Sequence, residues 1–232
     1  MVSDIEEILK SAANRVDANS HPFTCGIRDG VYPRSGLQFY AADLAVTVSA
    51  FSRSLAAIFA CCDDPEVRRT LLENLLEEEG ATSFCPTEGL VVDPKRRHSD
   101  LAWRFARATG ATGETSYLTL IPGWFRRQLN AGNWLGPLAY VVIGYEANIP
   151  PTFRILINGF RQHYGFTEEE LVFFTEHTVA DERHSAQGAR VISNAATTPE
   201  LRRQALNGAR RGASAWWQFH LQHHRALSSR NF

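Results

Sequence analysis

The chain has 232 residues, 44% of them hydrophobic and 21% charged, with 24 Lys and Arg against 25 Asp and Glu for a formal net charge of -1. Apolar content at that level excludes a disordered chain, and near-cancelling charge removes any global field for nucleic acid or an anionic membrane. One domain spanning residues 1–232 should bury roughly 70% of its unfolded surface, so no disulfide framework is needed.

The N-terminal stretch MVSDIEEILKSAAN is acidic and amphipathic, unlike a signal peptide, and carries Ile5, Ile8, Leu9 and Ala12 at helical spacing from Asp4 to Val16. Pro22, Gly26, Gly30 and Pro33 make His21 to Arg34 an irregular entry loop. A long apolar helix is predicted from Ser35 to Cys62, stopped by Asp63-Asp64-Pro65. Asp64 and Pro65 supply the cap and first position of the next helix, Glu66 to Glu79, which Gly80 ends. Ala81 to Lys95 reads as a loop, followed by helices over Arg96–Thr109, Ser116–Asn130 and Trp134–Asn148. Pro150-Pro151 interrupts, and a further helix runs to Tyr164. Thr167 and Glu170 form a capping box for a helix reaching Ser193, and the last helix extends from Pro199 to Ser228. No strand pattern of useful length stands out. The prediction is an all-α, single-domain bundle of about eight helices.

The four cysteines, Cys25, Cys61, Cys62 and Cys85, show no C-x-x-C spacing and read as thiols in a reducing cytoplasm. Apolar runs such as Leu138 to Gly144 fall far short of the ~20 residues needed to span a bilayer. A cytoplasmic protein with no membrane partner is expected.

The sharpest chemical feature is HTVADERH, which places His177, Asp181 and His184 at i, i+4 and i+7. Around a helix axis Asp181 lies about 40° and His184 about 20° from His177, so the three share one face, a stripe suited to Fe or Mn. Glu146 sits after the apolar run Leu138 to Tyr145, where a carboxylate is costly to bury unless it is paired or metal-bound. In ENLLEEEG, Glu78 continues the face of Leu71 and Leu75, while Glu79 continues that of Leu72 and Leu76, and spacing does not separate them. His98 shares a face with Leu101, Ala102 and Phe105 near a helix start. Two carboxylates and an imidazole from three helices, with the His-Asp-His stripe from a fourth, make an inventory for two metal ions.

With these pieces in order, the chain resembles the heme-oxygenase-like diiron oxidases and oxygenases. The resemblance runs through HPF, DGVYP, DDPEVRRTLLENLLEEEG, HSDLAWRFARATG, YEANIP and H-x-x-x-D-x-x-H. The first pieces are shared with thiaminase-II-like and pyrroloquinoline-quinone-synthase-like relatives and imply a heme-oxygenase-like fold of seven to eight helices. The Glu, His, Glu and His-Asp-His set belongs to the metal-binding branch and implies Glu78, His98, Glu146, His177, Asp181 and His184 as ligands. Glu78 is preferred because the family's Glu lies four residues after an Asn, here Asn74. The loop from Glu78 to His98 is longer than is usual in the family, which keeps Glu77 and Glu79 as alternatives.

The resemblance implies two Fe ions, O2 as co-substrate, and N-oxygenation, desaturation, C–C cleavage or nitrile formation on a small amino-acid-like metabolite in a biosynthetic pathway. Mn or a mixed metal pair is the metal alternative. A metal-free thiaminase-like or quinone-synthase-like enzyme of this fold, or a non-catalytic binding protein, is the functional one. Arg154 and Arg161 are candidates to grip a substrate carboxylate, and Trp103, Trp124, Tyr145 and Phe153 candidates to wall a pocket. His220, His223 and His224 read as a polar face of the last helix. A homodimer is possible, with no interface marked in the sequence.

Overall fold

The computed structural model describes residues 4–13, 17–85, 89–112 and 123–229. Helix α1, Asp4–Ala13, buries Ile5, Leu9 and Ala12. The predicted end of this helix, residues 14–16, lies outside the described residues. The entry segment is not all loop, because α2 spans Pro22–Arg28. His21 caps it by accepting at Nδ1 from the Phe23 N–H at 3.1 Å, and Phe23 and Ile27, one turn apart, are fully buried. Histidine is not among the usual capping residues, which is why the helix is hard to read from sequence.

The single helix predicted from Ser35 to Cys62 is two, α3 at Leu37–Ser49 and α4 at Phe51–Cys61, broken at Ala50 with φ -112°. Just before the break, Thr47 Oγ1 and Ser49 Oγ bond back to the carbonyls of Asp43 and Ala45. Such side-chain back-bonding competes with the helix ladder and bends it. By length and composition Arg34–Cys61 could cross a membrane. In the fold, however, α3 packs on the helix His98–Ala108 and buries Leu37, Tyr40, Ala41, Leu44 and Ala45.

Helix α5, Pro65–Glu78, starts as predicted, with Asp64 Oδ1 accepting from the Glu66 and Val67 N–H groups at 2.8 and 3.1 Å. The predicted loop after it holds an antiparallel hairpin, β1 at Ala81–Cys85 and β2 at Gly89–Val92. Its strands are too short for alternation to show in the sequence. Helix α6 begins at His98 and ends at Ala108, after a 3-10 turn at Pro94–Arg96. Helix α7 covers Gly123–Asn130. The rest of the predicted Ser116–Asn130 helix, up to residue 122, lies outside the described residues.

From Leu135 to Tyr164 the backbone stays helical but changes gauge. Helix α8, Leu135–Ala139, passes into a π-helical stretch at Tyr140–Tyr145, a 3-10 turn at Glu146–Asn148, and α9 at Ile149–Tyr164. Pro150 and Pro151 do not interrupt the chain. They occupy the first turn of α9, where a missing N–H costs little. The Thr167–Glu170 capping box forms, but α10 proper starts later, at Val172, and runs to Ala195. Helix α11 spans Pro199–Ser229.

Helix α11 lies along α8 and the π-helical stretch, and glycines let the backbones touch. A Cβ on Gly212 would stand 2.1 Å from the Tyr140 carbonyl oxygen, and one on Gly208 would stand 2.0 Å from that of Gly136. The buried apolar residues form two clusters, and α10 crosses from one to the other. Phe173 and Phe174 belong to the aromatic cluster around Phe105, Phe153 and Phe160. Val191 and Ile192 belong to the aliphatic cluster around Leu71, Leu138 and Ile143. Gly212→Ala forces these helices apart and should cost about 1–3 kcal/mol, lowering Tm by roughly 3–10 °C. An unchanged melting curve would contradict the close packing.

Candidate metal centre

All six candidate side chains lie inside the bundle, each between 1% and 5% exposed. They fall into two triads, Glu78 with His98 and His177, and Glu146 with Asp181 and His184. Within each triad the donor atoms lie no more than 4.8 Å apart. The stripe on α10 is shared between the two, with His177 in one triad and Asp181 and His184, one and two turns further on, in the other. Along α10 it occupies the stretch between the two apolar clusters. Glu146 is placed similarly, at the junction of the π-helical stretch and the 3-10 turn.

Glu78 and His98 meet because the hairpin closes on itself. Glu78 is the last residue of α5 and His98 the first of α6. Between them Gly80 turns the chain at φ +85°, and its carbonyl accepts from the Asp93 N–H at 2.9 Å. A Cβ on Gly80 would sit 2.5 Å from the Asp93 carbonyl oxygen and 2.9 Å from the Arg97 nitrogen, so glycine serves both the turn and the close approach. The added length of this connection is thereby absorbed by the strands.

In the first triad His98 Nδ1 lies 3.0 Å from Glu78 Oε1 without hydrogen-bond geometry. His177 Nδ1 donates to the Phe173 carbonyl at 2.8 Å, which leaves Nε2 as the ring's lone-pair nitrogen. Burial, reinforced by neighbouring His98, holds the His177 pKa well below the histidine range. Burial also opposes the charged form of His98, but the Glu78 carboxylate outweighs it and the pKa is raised.

In the second triad Glu146 Oε1 accepts from Asn74 Nδ2 at 3.1 Å, while Oε2 has no partner. Asp181 Oδ1 lies 3.4 Å from His184 Nδ1, and Asp181 Oδ2 is unpartnered. The other His184 nitrogen, Nε2, lies 3.0 Å from Glu77 Oε2. Burial raises the pKa of both Glu146 and Asp181. Burial works against charge on His184 too, but the facing carboxylates of Asp181 and Glu77 overcome it and push the pKa up to about 10.

Among the three glutamates, Glu78 enters a triad. Glu77 is half-buried and pairs with His184 and Arg183, and Glu79 is exposed and pairs with Arg97 at 3.1 Å. Four atoms of the six residues are buried without a hydrogen-bond partner: His98 Nδ1, Glu146 Oε2, Asp181 Oδ2 and His184 Nδ1. Each orphaned atom costs about 1–3 kcal/mol. Three carboxylates and three imidazoles, once deprotonated, are the donor set for Fe or Mn, so the residues present fit metal.

Beside the triads runs a narrow, partly open cavity. Leu44, Val48, Phe51, Ile149, Phe153 and Trp216 give it an apolar, aromatic wall that reaches Glu78, Glu146, His177 and Asp181. Tyr145 and Phe153 therefore wall the pocket as anticipated, whereas Trp103 donates to Ser49 Oγ and Trp124 packs near Tyr140 and Arg211. Arg154 and Arg161 do not reach this cavity. They lie at the surface, paired with Glu182 and Glu168. The described cysteines, Cys25, Cys61 and Cys62, do not line it either.

Reading His220 and His223 as a polar surface was wrong, for both are buried against Phe23, Tyr40 and Phe219. Their spacing from Trp216 and Phe219 on one helix face is the sequence signal for that burial. Sequence reasoning also missed Glu77 and Asn74 as partners of His184 and Glu146.

In the metal-free chain His184 binds its proton more tightly folded than unfolded. Its contribution to stability is complete below the unfolded value near 6.5 and drains as pH rises toward about 10. The raised carboxylate of Glu146 acts with the same sign. The metal-free Tm should therefore fall between pH 7 and 9, and His184→Gln should flatten that fall. Melting curves across this range that rise instead would contradict the electrostatics.

Residues 38–217 match the family model described as iron-containing redox enzyme. A 4-aminobenzoate synthase from Chlamydia muridarum is 30% identical over 203 residues, covering 81% of this chain and 80% of the relative. Another, from Chlamydia trachomatis, is 31% identical over 180 residues, covering 74% and 72%. A solved domain with a heme oxygenase-like fold from Shewanella denitrificans superimposes with a TM-score of 0.70 over 98% of this chain and 95% of its own, at 14% identity.

Proposed function

The chain belongs to the iron-containing redox enzyme family, and on that premise we propose that it is an O2-dependent diiron oxidase or oxygenase of a biosynthetic pathway. The observation that carries this reading is the pair of buried triads, with an orphaned nitrogen in the first and two orphaned oxygens and a nitrogen in the second. Glu78, His98 and His177 would hold one iron, and Glu146, Asp181 and His184 the other. Held there, a pair of ferrous ions would supply the electrons for O2 reduction and the oxidising power for the substrate.

The chain's own residues do the rest. The Phe173 carbonyl fixes the His177 tautomer, and Asn74 holds one Glu146 oxygen so that the other is free. Phe51, Phe153, Phe173 and Trp216 exclude water beside the triads and offer flat apolar walls. They support a small amino-acid-derived substrate whose apolar or aromatic group lies in the cavity while its charged end faces the mouth. Relatives named for making 4-aminobenzoate, an aromatic amine, agree with an aromatic group there. The oxidation is one of the family's set: N-oxygenation, desaturation, C–C cleavage or nitrile formation.

Anaerobic titration with Fe(II) should load two ions per chain, followed by O2 uptake on exposure to air. Asp181→Ala should lower affinity at one site by more than about 100-fold and abolish O2 uptake while the helical circular dichroism is retained. Uptake of no iron by the wild-type protein, or full O2 uptake by the Asp181→Ala protein, would refute the reading.

A further inference from the structure

We infer that Glu77 is a positioning residue for the second iron, acting through His184. The inference rests on the two-iron reading above and concerns a side chain outside both triads.

His184 is the only imidazole of the six candidate residues whose distal nitrogen meets a carboxylate: its Nε2 lies 3.0 Å from Glu77 Oε2. A carboxylate only accepts, so Nε2 carries the ring proton. Nδ1 then bears the lone pair, and it faces the space shared with Asp181 Oδ1 at 3.4 Å and has no hydrogen-bond partner. Glu77 is itself anchored. Arg183, the residue before His184, pairs with the same Oε2 and tethers the end of α5 to α10. Rotation of the His184 ring would break a charge-assisted bond, so Nδ1 is held on its target.

The arrangement divides neighbouring residues between the two triads. Glu78 stands inside the first triad, while Glu77, about 100° round the same helix end, reaches the histidine of the second. It also makes the two irons unequal. The proton of His177 is held by a neutral acceptor, the Phe173 carbonyl, and that of His184 by an anion. An imidazole hydrogen-bonded to a carboxylate is the stronger donor to metal. His184 therefore gives its iron a more electron-rich ligand than His177 gives the other.

The test is anaerobic titration of the full-length protein with 57Fe(II), read by site affinities and by Mössbauer spectra, for wild type, Glu77→Gln and Glu77→Leu. Glu77→Leu should weaken one site about 10–100-fold and shift one of two ferrous doublets, leaving the other site and doublet unchanged. Glu77→Gln keeps an accepting oxygen without the charge. It should fall between the two, and it serves as the folded control if the leucine variant is unstable. Two irons bound by every variant with unchanged affinities and doublets would overturn the role while leaving the diiron reading intact. Loss of both sites in folded Glu77→Gln would also overturn it, because Glu77 would then be acting on both irons rather than through His184. A wild type that takes up no iron would overturn the diiron reading itself, and this inference with it.

Discussion

Three carboxylates and three imidazoles occupy the interior of this bundle at 1–5% exposure, and the protein satisfies them only in part. Among the described residues their close partners outside the set are Asn74, the Phe173 carbonyl, Glu77 and Arg183, and four of their atoms are left with no hydrogen bond. Burying ions in this way costs several kcal/mol apiece unless a counter-charge sits among them. Burial pushes the Glu146 and Asp181 carboxyls upward and His177 downward, each toward its neutral form. Two divalent cations would relieve that stress in one step, which links iron loading to the stability of the fold.

The bundle is built to bring those groups together. One helix, α10, supplies three of them as it crosses from the aromatic to the aliphatic cluster. A closed hairpin with Gly80 at its base joins Glu78 to His98. The change of helical gauge at Tyr140–Tyr145 precedes Glu146, and π-helical segments of this kind occur frequently at functional sites. Glycine contacts against α11 hold that irregular segment in place. The apolar cavity opens beside the same residues, where the proposed substrate would lie.

Much of this was legible in the sequence where a feature is set by spacing along one helix. The His177, Asp181 and His184 stripe, the Asp64 cap and the stop at Gly80 are of that kind. What stayed hidden depends on contacts between distant segments or on weak local signals. Periodicity alone left Glu78 and Glu79 equivalent. Only the fold turns Glu79 to solvent and Glu77 onto His184. The break at Ala50 comes from Thr47 and Ser49 bonding backward, and α2 from an unusual histidine cap, neither of which disturbs the apolar pattern. His220 and His223 looked like a surface because histidine is polar, although their neighbours on the helix face, Trp216 and Phe219, pack in the core.

Anomalous diffraction at the iron edge, from crystals loaded with ferrous ion without O2, addresses the central claim most directly. The account predicts two iron peaks, one touched by Glu78, His98 and His177 and the other by Glu146, Asp181 and His184, with Glu77 against His184 Nε2 and out of reach of either metal. A single peak, no peak between the triads, or Glu77 bound to iron would contradict it.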